Sequence, residues 1–235
     1  MLSATEIVNL QDQETRAGHS SVDQAVERRD VLKGHDFSRA ASAAQATGPL
    51  GHEECSSEYP DMDSTWLALV RRQHQANFAL WHIEDEARAP GATDAELAAV
   101  KRRVDRTNQQ RNDLVEELDR ALLAWLEMQG LPNPAAELNS ESPGLMIDRL
   151  SILSLKIHHT REEAGRAGAP PDHAERNLER LAILQEQRAD LVACLEALWR
   201  ETMAGTRRFK LYRQLKMYND PALNPAIYRS SSAAK

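Results

Sequence analysis

The amino-acid sequence predicts an all-α protein built on an antiparallel four-helix core. It is rich in Ala, Leu, Glu, Arg and Gln, which favour helices, and only 5% of its 235 residues are aromatic. Four long segments with helical spacing of apolar residues are separated by breaks that contain glycine and proline. The chain also repeats itself internally, and this repeat determines the predicted architecture.

The internal repeat has one constant spacing and contains no gap. His82 corresponds to His159 (159 − 82 = 77), and Arg111 corresponds to Arg188 at the same offset. A constant period that runs through two helices and a turn is typical of a duplicated unit. The sequence therefore predicts two copies of one helical hairpin, each of which buries its apolar face against the other.

The first predicted hairpin contains helices over 64–89 and 94–129. The first of these helices ends at Pro90, because proline cannot continue a helix. The second opens with Thr93 and Glu96, a capping box in which a hydroxyl and a carboxylate satisfy free backbone amides.

The second predicted hairpin begins at Ser142, an N-cap residue that is followed by Pro143 at the first helical position. Apolar residues lie around most of the circumference of this helix, which predicts a central position in the bundle. A second capping box, Asp172 with Glu175, opens the last helix, which runs to about residue 203.

The two ends of the chain are predicted to differ from the bundle at 61–203. Residues 1–60 are expected to form a weakly structured extension with one short helix from Glu6 to Arg16, anchored by Ile7 and Leu10. Residues 204–235 are basic and aromatic and are expected to dock as a C-terminal helix. The apolar residues expected to anchor that helix are Phe209, Tyr212 and Leu215.

Composition limits the classes of function. The net charge of −7 argues against general nucleic-acid binding. Cys55 and Cys194 are isolated, which excludes a disulfide framework or zinc signature and suits a reducing compartment. No apolar run approaches membrane length, so we expect a cytoplasmic protein that does not enter a membrane.

A polar layer is predicted at the centre of the bundle, because the second helix of each predicted hairpin carries an arginine, Arg111 or Arg188, among aliphatic residues. The cations outnumber the anions, so an anionic small molecule could complete the layer, with basic residues of the C-terminal segment nearby. The alternative is a buried ion-pair network that sets the register of the helices, with Asp148 as the first expected partner of Arg188. The candidate residues are Arg111, Asp148, Arg149, Arg188, Lys210, Arg213 and Lys216, and His74 is a further candidate for the layer.

A second cluster contains a histidine followed by carboxylates in each hairpin. A histidine and a carboxylate three or four residues apart share a helix face, so two such pairs could bind a metal pair. The alternative is an ordinary solvated surface, because both clusters lie near the turns. The adjacent His158 and His159 point about 100° apart on a helix, so they are not expected to bind one ion together. The metal candidates are His82, Asp85, Glu86, His159, Glu162 and Glu163.

Four long motifs resemble the bacterial DUF4254 family, a domain of unknown function. They lie at 77–82, 108–114, 147–157 and 209–221, so the resemblance covers most of the chain after about residue 65. The resemblance implies a bacterial source and suggests an association with surface-polysaccharide gene clusters. It supplies no catalytic residues.

The preferred interpretation of the sequence is an interaction or assembly module that binds itself or a protein partner, such as a polysaccharide enzyme. Two alternatives stay open. One is an enzyme or sensor that binds a phosphorylated or carboxylated small molecule at the arginine layer. The other is a metal-dependent enzyme that uses the histidine and carboxylate pairs. The sequence identifies neither a catalytic residue nor a cofactor.

Overall fold

The computed structural model describes residues 3–32, 62–215 and 222–225, and these residues form an all-α protein, as predicted. Two short strands of two residues each are the other regular elements of the described chain. The helices are α1 (Ala4–Leu32), α2 (Met62–Glu86), α3 (Asp94–Met128), α4 (Pro143–Ala164) and α5 (His173–Met203), and the strands are β1 (Glu137–Leu138) and β2 (Arg207–Arg208).

Helices α2 and α3 pack along each other, and so do α4 and α5. The ion pairs Arg72–Glu117 and Arg103–Glu86 show that α2 and α3 run in opposite directions. Both α2 and α3 also contact α4, whose buried residues lie on several sides of the helix. Helix α4 therefore has the central position that its apolar pattern predicts.

Helix α1 is longer than predicted and belongs to the same core. The expected helix from Glu6 to Arg16 is part of a 29-residue helix in which Ile7 and Leu10 are buried. It packs against α2, α4 and α5, and within the described part of the chain α2 and α5 do not pack against each other. Helix α1 thus contacts both α2 and α5, and it supplies apolar surface in a region that was expected to be a weakly structured extension. The predicted linker over 39–51 lies outside the described residues, and the domain boundaries remain predictions.

Two glycines allow helices to approach closely. A Cβ atom at Gly144 on α4 would lie 2.6 Å from the carbonyl oxygen of Val115 on α3. A Cβ atom at Gly18 on α1 would lie 2.7 Å from the ring of Phe78 on α2. A side chain at position 144 would meet the backbone of α3 and push the two helices apart, so that contact depends on glycine, whereas a side chain at position 18 would require the ring of Phe78 to shift.

The predicted helix caps are present in two cases out of three. The capping box of Thr93 and Glu96 is present, and Ser142 caps α4 by accepting a hydrogen bond from the amide of Leu145. The capping box predicted at Asp172 is wrong. Asp172 has a left-handed backbone (φ 65°) in place of the extended conformation of an N-cap residue, and it makes no capping hydrogen bond with the residues described.

The segment after α5 forms strand β2 instead of the predicted helix. Glu137 pairs with Arg207 and Leu138 with Arg208 in a two-residue parallel ladder with β1. Phe209 is buried in the core, as expected, but Tyr212 and Leu215 are exposed, so they do not form an apolar helix face against the bundle. The side chains of Glu137 and Glu201 both contact Arg207 and hold the segment in place.

Candidate functional site

The central polar layer is built around Asp148, which is buried between α2, α3 and α4. The Arg111 guanidinium binds both carboxylate oxygens, with Nε at 2.7 Å from Oδ1. The side-chain amides of Gln73 and Asn77 also donate to Oδ1, at 2.6 and 3.0 Å. Because the carboxylate accepts four hydrogen bonds, its charge is fully compensated, and the layer acts as an ion-pair network between helices.

The network continues through a hydroxyl and an imidazole. Ser151 Oγ accepts a hydrogen bond from Asn77 and lies 2.8 Å from His74 Nδ1, while Thr15 Oγ1 of α1 lies 3.0 Å from His74 Nε2. Burial lowers the pKa of His74 to about 4, with Glu14 and Asp12 opposing the shift. A nucleophilic serine needs an accessible hydroxyl and a base that a third group orients. Ser151 is completely buried, so this pair suits a structural role.

The other predicted members of the layer lie elsewhere. Arg188 donates to both oxygens of Asp12 on α1, at 2.9 and 3.0 Å. The prediction that Asp148 is its partner is therefore wrong. Arg149 is exposed and pairs with Glu141 at 2.8 Å. The arginines therefore bind separate carboxylates and do not form one cationic layer.

The tail cations also lie apart from this layer. Lys210 and Arg213 are exposed on the segment after β2, and Lys216 lies outside the described residues. The amide of Gln214 donates to Glu116 Oε1 at 2.8 Å, so the segment passes along α3. Neither Lys210 nor Arg213 lines a cavity described below.

Four histidines from three helices meet near the middle of α1, one turn after Thr15. The ring of His19 lies 4.4 Å from that of His158, 4.7 Å from His159 and 5.1 Å from His82, measured between centroids. Nε2 of each is buried and has no hydrogen-bond partner among the described residues, although His158 Nε2 lies 3.2 Å from a Glu162 oxygen. Burial, followed by the neighbouring imidazoles, lowers the pKa of His19 to about 4, and burial also lowers the pKa of His159. His19 and His159 are therefore expected to be neutral at pH 7.

The six metal candidates do not form one cluster, although His159 Nδ1 lies 3.3 Å from a Glu162 oxygen. Glu86 pairs with Arg103, and Glu163 pairs with His173 and Arg166. Within the described ranges, no group of three or more His, Cys, Asp or Glu side chains is placed to hold a metal ion. His82 and His159 instead belong to the histidine cluster, their ring centroids 6.2 Å apart.

Three neighbouring cavities form a groove beside α4, which we call the α4 groove. They have volumes of about 630, 340 and 290 Å³. The first two share Ile152, the first and third share Lys156 and Gln187, and the last two share Trp81. Residues of α2, α3, α4 and α5 line the groove, and α1 does not. Arg111 lines the 340 Å³ cavity, so the buried network reaches the surface there.

Sequence reasoning missed three features of this region. His19 carries no local signal, because its partners lie on α2 and α4. Lys156 and Arg180 line the 290 Å³ cavity and occur in helices whose charged residues resemble any solvated face. Trp81 lines both the 340 and the 290 Å³ cavity because of how the helices pack, and the spacing of residues in the sequence does not predict this.

These observations define an all-α protein with an open groove and a buried ion-pair network. A family model described as "Protein of unknown function (DUF4254)" matches residues 67–211. The chain belongs to this family, which confirms the predicted resemblance. No curated protein and no solved structure matches the chain. None of the described helices is long and apolar enough to cross a bilayer.

Proposed function

We propose that the protein is a binding module and that its partner lies in the α4 groove. The observation that carries this proposal is the continuity of the three cavities around Ile152 and Lys156, which creates one surface from four helices. The floor of the groove contains the apolar side chains of Ile152, Leu153 and Leu155. Concave, mostly apolar surfaces with a few polar groups are the usual binding sites of proteins.

The shape of the groove favours an extended partner. Small molecules bind in sites that enclose most of their surface, whereas this groove is open to solvent along its length. An amphipathic helix can lie in an open groove and insert apolar anchors. These features support an assembly module whose partner is a second copy of the chain or another protein. The family resemblance suggests a polysaccharide enzyme as that other protein.

Two exposed residues of α5 provide a matched test. Ile183 lines the groove and is 54% exposed, whereas Leu178 is 57% exposed and lines none of the three cavities. We expect Ile183→Glu to abolish assembly, because a carboxylate would have to be desolvated in the interface, and Leu178→Glu to leave it intact. Native mass spectrometry and sedimentation velocity of the purified protein measure this directly.

The proposal fails if the wild-type protein is monomeric and carries no bound molecule. It also fails if both variants assemble like the wild type, or if both lose assembly to the same extent. If the purified protein retains a small molecule and no protein partner, the occupant of the groove is a small ligand and not an extended segment.

A further inference from the structure

The 290 Å³ cavity at one end of the α4 groove has a lining with a single sign of charge. Its polar residues are the cations Lys156 and Arg180, the imidazole of His159, the hydroxyl of Thr160 and the amide of Gln187. The cavity lining contains no carboxylate. This is unusual in a chain whose net charge is −7, because acidic side chains are the more abundant source of neutralising contacts.

The two cations have no carboxylate partner in the part of the chain that the structure describes. Arg180 makes one contact, from Nη1 to the side-chain oxygen of Asn177 at 3.4 Å. By contrast, Arg103, the counterpart of Arg180 in the first copy of the repeat, binds both oxygens of Glu86, with Nη2 at 3.0 Å from Oε1. The first hairpin thus neutralises this position, and the second leaves it charged.

Arg180 lacks a carboxylate partner among the described residues because Glu163 binds other residues. Glu163 is the counterpart of Glu86 in the second copy of the repeat, but His173 takes its carboxylate at 3.0 Å and Arg166 lies 3.4 Å away. Arg180 is therefore left to the cavity. Lys156 adds a second cation at the position that Ala79 occupies in the first hairpin.

The cavity also has a flat aromatic wall. The rings of Trp81 and His159 stack with centroids 4.6 Å apart and planes within 8° of parallel, and both residues line the cavity. Ile183 and Leu184 add apolar surface. Cations next to an aromatic and apolar wall suit a ligand that joins an oxyanion to an apolar body.

We propose that Lys156 and Arg180 form an anion subsite of the α4 groove, which takes a phosphate or carboxylate group attached to an aromatic or apolar body. The inference rests on the proposed binding groove and names the chemistry of its occupant. The same chemistry can come from a free small molecule or from a side chain of a bound partner segment. Two cations with freely placed donors attract the oxyanion, and the aromatic wall adds contact area for the rest of the ligand.

Phenyl phosphate is the probe for this subsite, with inorganic phosphate and uncharged benzyl alcohol beside it. A ligand that binds only the folded protein raises the melting temperature. We expect phenyl phosphate to raise it more than inorganic phosphate at equal concentration, and benzyl alcohol to leave it unchanged. A helical peptide that contains phosphotyrosine distinguishes the two sources, because a partner segment gains further affinity from the rest of the groove.

Single substitutions locate the binding. Lys156→Ala and Arg180→Ala should each weaken phenyl phosphate binding by about tenfold, since each removes one charge-assisted contact, worth about 1.4 kcal/mol. Arg176→Ala is the matched control, because Arg176 is an exposed cation one turn earlier on α5 and lines none of the three cavities. Its affinity should equal that of the wild type. Isothermal titration calorimetry measures all four proteins.

The inference is overturned if no anionic probe binds the wild-type protein, or if Arg176→Ala weakens binding as much as Arg180→Ala. These results are separable from those for the groove itself. If Ile183→Glu abolishes assembly while no anion binds, the groove proposal stands and the anion subsite does not. If anions bind through Lys156 and Arg180 while Ile183→Glu leaves assembly intact, the anion subsite stands and the proposal of a protein partner in the groove does not.

Discussion

Arg111 on α3 and Arg188 on α5 lie 77 residues apart, at positions that the sequence predicts to be equivalent, and each binds a carboxylate on a different helix. Arg111 binds Asp148 of α4 across a direct contact between α3 and α4. Arg188 cannot do the same on its own side, because the described parts of α2 and α5 do not pack against each other. Asp12 of α1 supplies the carboxylate there. The sequence therefore retains its cation in both halves, and α1 provides the partner in the second half.

The two hairpins differ on the side where α1 packs against α2, α4 and α5. Helix α1 covers the side between α2 and α5, and the α4 groove remains open elsewhere on α4. At the centre, one pair of equivalent positions meets directly, since His74 Nδ1 lies 2.8 Å from Ser151 Oγ. This contact is what a pseudo-twofold axis between α2 and α4 would produce. Superposition of the two hairpins in the predicted register remains to be tested.

The largest expected effect distinguishes the two arginine pairs. Asp148→Ala would remove a buried carboxylate that binds Arg111 and two side-chain amides, and we expect it to lower the free energy of unfolding by about 3–5 kcal/mol. Asp12→Ala should cost about 1 kcal/mol, because the Asp12 side chain is 27% exposed, against 8% for Asp148, so its pair with Arg188 is closer to a surface ion pair. Urea unfolding of both variants measures the difference, and equal losses would contradict this account of the asymmetry.

Acid should weaken the attachment of α1. His74 has a pKa of about 4 in the folded protein and about 6.5 when unfolded, so its contribution is complete above pH 6.5 and is lost as the pH falls towards 4. The loss at pH 4 is on the order of 3 kcal/mol, and His19 changes in the same direction. Asp119 acts in the opposite direction, because burial raises its pKa to about 6 and the folded protein favours its protonated form.

The two opposing groups give this prediction its control. Asp119→Asn removes the opposing titration, so its stability should fall more steeply than that of the wild type between pH 6.5 and 4. His74→Gln should make the dependence shallower. Urea unfolding at a series of pH values measures these slopes, and a His74→Gln slope equal to that of the wild type would show that His74 does not titrate as described.

Local signals account for the parts of the fold that the sequence predicted. The breaks at Pro90 and at Ser142 are set by backbone chemistry within a few residues, and the helices begin and end close to the predicted positions. The capping box predicted at Asp172 is absent from the described residues, because the left-handed backbone of this residue depends on the preceding turn and not on its residue type. The internal repeat likewise predicts which residues are equivalent, without identifying their partners.

Contacts between distant helices were beyond these signals. The sequence made Asp148 the first expected partner of Arg188, but it did not identify which neighbouring helix would supply the carboxylate. Asp12 and His19 lie in a segment with few apolar residues, and their role follows from the docking of α1. Arg180 looked like an ordinary surface charge, and its freedom follows from the choice of partner at Glu163.

The smallest expected effect compares Arg103 with Arg180. Arg103→Ala removes an exposed pair with Glu86 and should lower the free energy of unfolding slightly, with less effect at high salt. Arg180→Ala removes no carboxylate contact, so stability should stay the same or increase slightly as repulsion from Lys156 disappears. Chemical unfolding at low and high salt measures both variants. A destabilisation by Arg180→Ala that salt reduces would show that Arg180 is already neutralised within the protein, and the position would then no longer differ between the two hairpins.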